Sequence, residues 1–249
     1  MTSPAIEMKS LEHRYDSAPV LQGIDLVIEH GEIFGFLGHN GAGKTTAVNI
    51  LTTLITPTGG AARVCGFDVV HQRAGVTRCI GYLPSEVRMY AHLTAVENLE
   101  FFARLSGVER PRAAAKDTLA YLDCADLADR RVGTFSSGMR QRVGIAQAIL
   151  HRPKVLFLDE PTTGLDPMGV RQLRETILRL NRDLQMTVFM NTHLLSEVAK
   201  VCTTIGVLSH GELIYNDSIR ATVARFPNEA SLEDIYARVD AKAGAGDRR

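Results

Sequence analysis

The chain has 249 residues and a mass of 27.2 kDa, with 28 Lys and Arg balanced by 28 Asp and Glu, 45% hydrophobic residues and 22% charged ones. This is the mix of a soluble globular protein, with length for one large domain or a core plus a smaller insert; it excludes a disordered chain, a collagen-like repeat and a disulfide scaffold. The balanced charge also argues against a broad nucleic-acid-binding face, which needs a basic excess. Cys65, Cys79, Cys124 and Cys202 lie far apart without metal-ligand spacing and read as free thiols of a reducing compartment. No apolar run reaches the roughly 20 residues of a bilayer span. Residues 1–9 carry Glu7 and Lys9 and lack the apolar stretch of a secretory signal.

In chain order, Ile24, Leu26 and Ile28 alternate with Asp25 and Glu29, which predicts a strand with one wet face. After Gly31, Ile33–Leu37 is an almost uninterrupted apolar strand, and Ala47–Leu54 has helical spacing. From about Ala91 to Arg130 the pattern is helical, first through Leu93, Val96, Leu99 and Phe102 and then over Ala113–Leu122. Met139–Leu150 predicts a helix, Val155–Leu158 a buried strand, Val170–Leu180 a helix and Thr187–Met190 a second buried strand. Ile205–Leu208 and Leu213–Tyr215 flank Ser209-His210-Gly211-Glu212 as a hairpin. Alternating strands and helices predict an α/β fold with a mostly parallel sheet covered on both sides. One domain spans residues 1–237, a helical insert occupies about 86–140, and 238–249 is expected to be a disordered tail.

Chemistry enters at Gly38-His39-Asn40-Gly41-Ala42-Gly43-Lys44-Thr45, which fits GxxxxGK[ST] between a strand and a helix. The glycines let backbone N–H groups curl around phosphate oxygens, and the helix adds its positive end. Lys44 is placed to reach the β- and γ-phosphates of a nucleotide, and the Thr45 hydroxyl to ligate Mg²⁺. Val155–Leu158 ends in Asp159-Glu160, two carboxylates at the C-terminal end of a buried strand, where open α/β sheets bind ligands. Two such acids are commonly a wet edge or a helix cap. Beside a phosphate loop, one is expected to hold the magnesium and the other to polarise an attacking water.

Phe135-Ser136-Ser137-Gly138-Met139-Arg140-Gln141-Arg142 resembles a divergent signature motif, usually LSGGQ, of the ABC (ATP-binding cassette) ATPases. Pro161-Thr162-Thr163-Gly164-Leu165-Asp166 resembles the family's D-loop, and Asn191-Thr192-His193 its switch-histidine segment. The likeness runs from about residue 4 to 237, with the motifs in the family's order. It implies a P-loop NTPase core with an N-terminal antiparallel β part and a helical insert. It implies an ATPase whose ATP contacts run from Gly38 through Thr46, and Tyr15 matches the aromatic that stacks on adenine. Two cassettes, as a homo- or heterodimer, are implied to pair head to tail. Ser136, Ser137 and Gly138 of one then face the nucleotide of the other, and Asp166 links the two sites. Glu160 becomes the general base and His193 the γ-phosphate contact that orients the water. A separate integral-membrane permease is the implied partner, holding the protein at the inner face of the cell membrane, and no nucleic acid is expected.

Three positions depart from the family. Ser85, in Ile80-Gly81-Tyr82-Leu83-Pro84-Ser85-Glu86, stands where a metal-contacting glutamine is usual, and its short side chain implies a weakened corner of the magnesium site. Ser137 replaces the first glycine of the signature and Met139 its glutamine. Such variants, and the ending Ser231-Leu232-Glu233-Asp234-Ile235-Tyr236, resemble the drug- and antibiotic-exporter group. The competing function is a non-transport ABC ATPase acting on nucleic acid or ribosomes. Such proteins usually carry two cassettes or long coiled-coil or basic insertions, and the sequence has neither.

Overall fold

The computed structural model describes residues 3–227 and 229–246. The chain opens with an antiparallel hairpin of β1 (Ile6–Tyr15) and β2 (Ala18–Ile28), in register from Ile6 opposite Ile28 to Tyr15 opposite Ala18. The sequence shows β2 and hides β1. The alternation of Ile6 and Met8 is broken by a bulge before Leu11, with Ser10 in a left-handed conformation at φ 43°. Tyr15 therefore closes a strand of its own. Next come β3 (Ile33–Leu37) and α1 (Lys44–Leu51), then the short strands β4 (Gly59–Val64) and β5 (Phe67–Asp68), which complete a sheet in the order β2-β1-β4-β5.

The chain then runs through α2 (Arg73–Cys79), β6 (Ile80–Leu83), α3 (Ala95–Leu105) and α4 (Pro111–Tyr121). Thr94 and Glu97 start α3 with a capping box, and Pro111 fixes the first turn of α4, where its missing N–H costs nothing. After α5 (Ser137–Ile149) come β7 (Val155–Asp159), α6 (Pro167–Leu184), β8 (Thr187–Asn191), α7 (Leu195–Val201), β9 (Thr204–Ser209), β10 (Glu212–Ser218), α8 (Ile219–Arg225) and α9 (Leu232–Gly246). The second sheet has the order β10-β9-β3-β8-β7-β6, parallel apart from the antiparallel β9–β10 pair.

That sheet is buried on both faces. On one, Phe34, Phe36, Phe157 and Phe189 pack with ring centroids 5.3 to 6.1 Å apart, against α1 and the antiparallel sheet. On the other, Ile33, Leu37, Leu156, Leu158, Val188 and Met190 pack under the helices. Each fully buried ring stabilises the fold by about 1.5–3 kcal/mol, so the central strand ends are held firmly. The C-terminus corrects the sequence expectation. α9 continues beyond residue 237 because Ile235 and Val239 are buried and Asp240 accepts a hydrogen bond from Ser209. Residues 247–249 of the expected tail lie outside the described residues. Among the described residues, no helix is long and apolar enough to cross a membrane.

Candidate functional site

The site gathers at the C-terminal ends of β3, β7 and β8. β3 delivers the chain into residues 38–43, and α1 starts at Lys44 behind Gly43, which adopts a left-handed φ of 107° and leaves the first turn without a side-chain cap. The loop is pressed onto its floor. A Cβ on Gly38 would lie 2.4 Å from the Leu208 carbonyl oxygen, and one on Gly43 would lie 2.7 Å from Leu21 Cδ2 and the Val20 carbonyl. Only glycine fits these two places. Lys44 is 6% exposed and donates from Nζ to the carbonyls of Gly38 (2.7 Å) and His39 (3.1 Å), folding its ammonium back over the loop. His39, Asn40, Gly41 and Thr45 are exposed along the loop, while Ala42 and Thr46 are buried beneath it.

Asp159 ends β7 at 4% exposure, directly opposite Asn191 at the end of β8, and the Asn191 Nδ2 donates to its Oδ1 at 2.5 Å. Glu160 then turns sharply. Its φ is 48°, its N–H donates to the Asn191 carbonyl at 2.8 Å, and its Oε2 lies 2.7 Å from His193 Nδ1. Lys44, Asp159, Glu160 and His193 thus share one small region. Burial lowers the Lys44 pKa from its ordinary value, against the opposing pull of Glu160 and Asp159. Burial raises that of Asp159; the Asn191 bond and Lys44 oppose the rise, and Glu160 adds to it. Tyr82 on β6 is pushed up to about 12, mainly by burial and further by Asp159.

The remaining sequence candidates are Tyr15, Ser85, the signature turn and Asp166. Tyr15 is 49% exposed at the tip of the first hairpin, with the His13 ring edge-on at 4.7 Å. Ser85 is exposed just after β6, and neighbouring Glu86 pairs with Arg88. Ser136 caps α5 by accepting from the Met139 N–H at 3.3 Å, and Ser137 Oγ donates to the Gly164 carbonyl at 2.7 Å. Gln141 Nε2 donates to the Pro161 carbonyl at 2.7 Å, so the signature turn is tied to the loop that follows Glu160. Asp166 caps α6 through the Gly169 N–H at 2.7 Å, giving its carboxylate a local task. Sequence reasoning missed Asn191 as a support of Asp159, because the two are brought together by strand register, 32 positions apart.

Comparison with known proteins gives a consistent result. Residues 21–163 match the family model described as ABC transporter. The ABC transporter ATP-binding protein NatA of Bacillus subtilis is 41% identical over 204 residues, covering 81% of this chain and 82% of that protein. The bacitracin transport ATP-binding protein of Bacillus licheniformis is 37% identical over 212 residues, covering 85% of this chain and 69% of that one. A daunorubicin resistance ATP-binding protein of Streptomyces coeruleorubidus is 40% identical over 220 residues, covering 88% and 68%. The solved ATP-binding subunit of an ABC transporter superposes with TM-score 0.83 at 27% identity, over 94% of this chain and 99% of that one. A dimeric ATP-binding cassette in a post-hydrolysis state with ADP and Pi superposes with TM-score 0.77 at 25% identity, over 86% and 99%.

Proposed function

The chain belongs to the ABC transporter family, and from that premise we propose how its residues divide the work of binding and cleaving ATP. It is an ATP-binding, ATP-hydrolysing transporter subunit of the drug-exporter group. The named relatives separate this function from the nucleic-acid alternative.

In the proposed mechanism Tyr15 stacks on adenine, and the loop from Gly38 through Thr46 encloses the phosphates. Lys44 exchanges its carbonyl contacts for β- and γ-phosphate oxygens, which suits a charge-assisted donor already aimed along the loop. Thr45 and Asp159 fit Mg²⁺: one hydroxyl and one carboxylate suit a hard cation completed by phosphate and water. The raised pKa of Asp159 is also that of a buried carboxylate without enough positive charge beside it. Bound there, the ion would neutralise charge on the transferring phosphoryl group. Ser85 is the proposed weak corner of that site. Glu160 accepts the proton of the attacking water as its oxygen bonds the γ-phosphorus and the bond to the β–γ bridging oxygen breaks, giving ADP and phosphate. His193 orients Glu160 and the γ-phosphate. The observation that carries this assignment is the 2.7 Å Glu160–His193 contact beside Asp159 and Lys44.

Ser136, Ser137 and Gly138 are proposed to serve the nucleotide of a second cassette paired head to tail, with Asp166 at the junction. ATP closes this dimer, hydrolysis opens it, and a separate integral-membrane permease at the inner face of the cell membrane takes up the motion. The relatives named for bacitracin transport and daunorubicin resistance put antibiotics forward as the class of cargo. Glu160→Gln tests the core of the assignment. Turnover is expected to fall by about 10²–10⁴-fold, the range of general-base catalysis, while ATP binding by fluorescent-nucleotide titration stays at the wild-type level. Near-normal turnover removes Glu160 as the base.

A further inference from the structure

The turn between β9 and β10 is part of the floor of the phosphate loop. Gly211 donates its N–H to the Ala42 carbonyl at 3.1 Å, and the His210 ring lies against that of His39 with centroids 5.1 Å apart. Just before the turn, Leu208 supplies the carbonyl that a side chain at Gly38 would strike. Two groups from outside hold this turn. Gln22 of β2 donates Nε2 to the His210 carbonyl at 2.7 Å. From α9, Asp240 accepts from Ser209 Oγ at 2.6 Å; that hydroxyl is buried and also lies 3.1 Å from His210 Nδ1. His39 is also where the loop carbonyl receives Lys44. The last helix therefore reaches the phosphate loop through Ser209 and the β9–β10 turn.

We propose that α9 is a positioning element of the nucleotide site, with Asp240, acting through Ser209 and His210, as the positioning residue that keeps the phosphate loop in its receiving shape. The proposal rests on the assignment of residues 38–46 as the ATP phosphate site. A short bond from a hydroxyl to a carboxylate is stronger than a neutral one, and removing the acceptor leaves the Ser209 hydroxyl buried without it. The loop then loses support on the side of His39. Glu160 and His193 follow the ends of β7 and β8, outside this chain of contacts, so the effect belongs to nucleotide binding and not to the chemical step.

The test measures Kd for a fluorescent ATP analogue, together with KM and kcat for ATP, in the full-length protein. Asp240→Ala and Ser209→Ala are each expected to raise Kd and KM about three- to tenfold, the scale of one hydrogen bond, while kcat stays within about twofold of wild type. The double variant should lose no more than either single one, because both remove the same bond. Asp240→Asn keeps an acceptor oxygen and should recover most of the affinity. Unchanged Kd and KM in Asp240→Ala, or additive losses in the double variant, overturn the proposal. Lys44→Ala in the same titration separates the two ideas. If it abolishes binding while Asp240→Ala binds normally, only the role of α9 fails. If Lys44→Ala itself binds normally, the phosphate-site assignment fails and this proposal with it.

Discussion

The phosphate loop and the signature turn each introduce a helix through small residues, yet they are built in opposite ways. At the first, a Cβ on Gly38 or Gly43 would lie only 2.4 to 2.7 Å from Leu208, Leu21 and Val20, and Lys44 is folded inward and buried. At the second, Ser136 and Ser137 are exposed, and a Cβ on Gly138 would meet only Leu165 Cδ2 at 3.8 Å. One end is preformed within a single chain. The other is held from behind, by Ser137 and Gln141 on the loop after Glu160, and its front is open. That is what a half-site completed by a second molecule requires, and the contrast predicts which variants disturb binding and which disturb only turnover.

The largest effect is expected at the closed end. Lys44→Ala removes at least two charge-assisted bonds, each worth about 1.5–3 kcal/mol, and should weaken ATP binding by roughly a hundredfold or more in a titration of the single chain. A signature variant that weakened single-chain binding as much would break the comparison. Ser137→Gly, which restores the family residue and deletes the bond to Gly164, should leave single-chain binding unchanged. It should lower steady-state turnover about three- to tenfold, the value of one hydrogen bond, because the open turn loses its tie to the catalytic loop.

The smallest effect concerns stability. A carboxyl whose pKa is higher in the folded protein than in the unfolded chain contributes stability fully present below the unfolded value, and loses it as pH rises through the folded one. For Asp159 that loss begins above the ordinary value of 3.8 and proceeds as pH rises through the raised value of the folded protein. Asp159→Asn should therefore raise the melting temperature of the nucleotide-free protein at pH 7, by about 2–4 °C for each kcal/mol released. The gap to wild type should narrow as pH falls towards 4. A variant less stable than wild type at pH 7 contradicts the burial argument.

Much of this was legible in the sequence where local pattern and chemistry coincide. Ile33–Leu37, Val155–Leu158 and Thr187–Met190 are apolar runs of strand length, and each ends at or just before a chemical group that the fold brings into the site. The Lys44 loop and the Asp159-Glu160 pair could be read from spacing alone. What escaped depends on contacts between distant segments. β1 is interrupted by its bulge at Ser10, and the pairing of Asn191 with Asp159 exists only once β7 and β8 are in register. The stretch from Asp240 to Gly246 is short of large apolar residues and reads as a tail, yet α9 extends through it, with Val239 in the core and Asp240 bound to Ser209. The signature departure at Ser137 was visible, but its consequence was not, because Gly164 lies 27 positions away.

In the proposed mechanism one nucleotide is gripped by the closed end of one chain and the open turn of another. Light scattering on Glu160→Gln with magnesium, titrated first with ATP and then with ADP, tests it most directly. The expected mass is twice 27.2 kDa with ATP and that of the single chain with ADP. A Glu160→Gln protein that binds ATP to saturation yet stays at 27.2 kDa contradicts it.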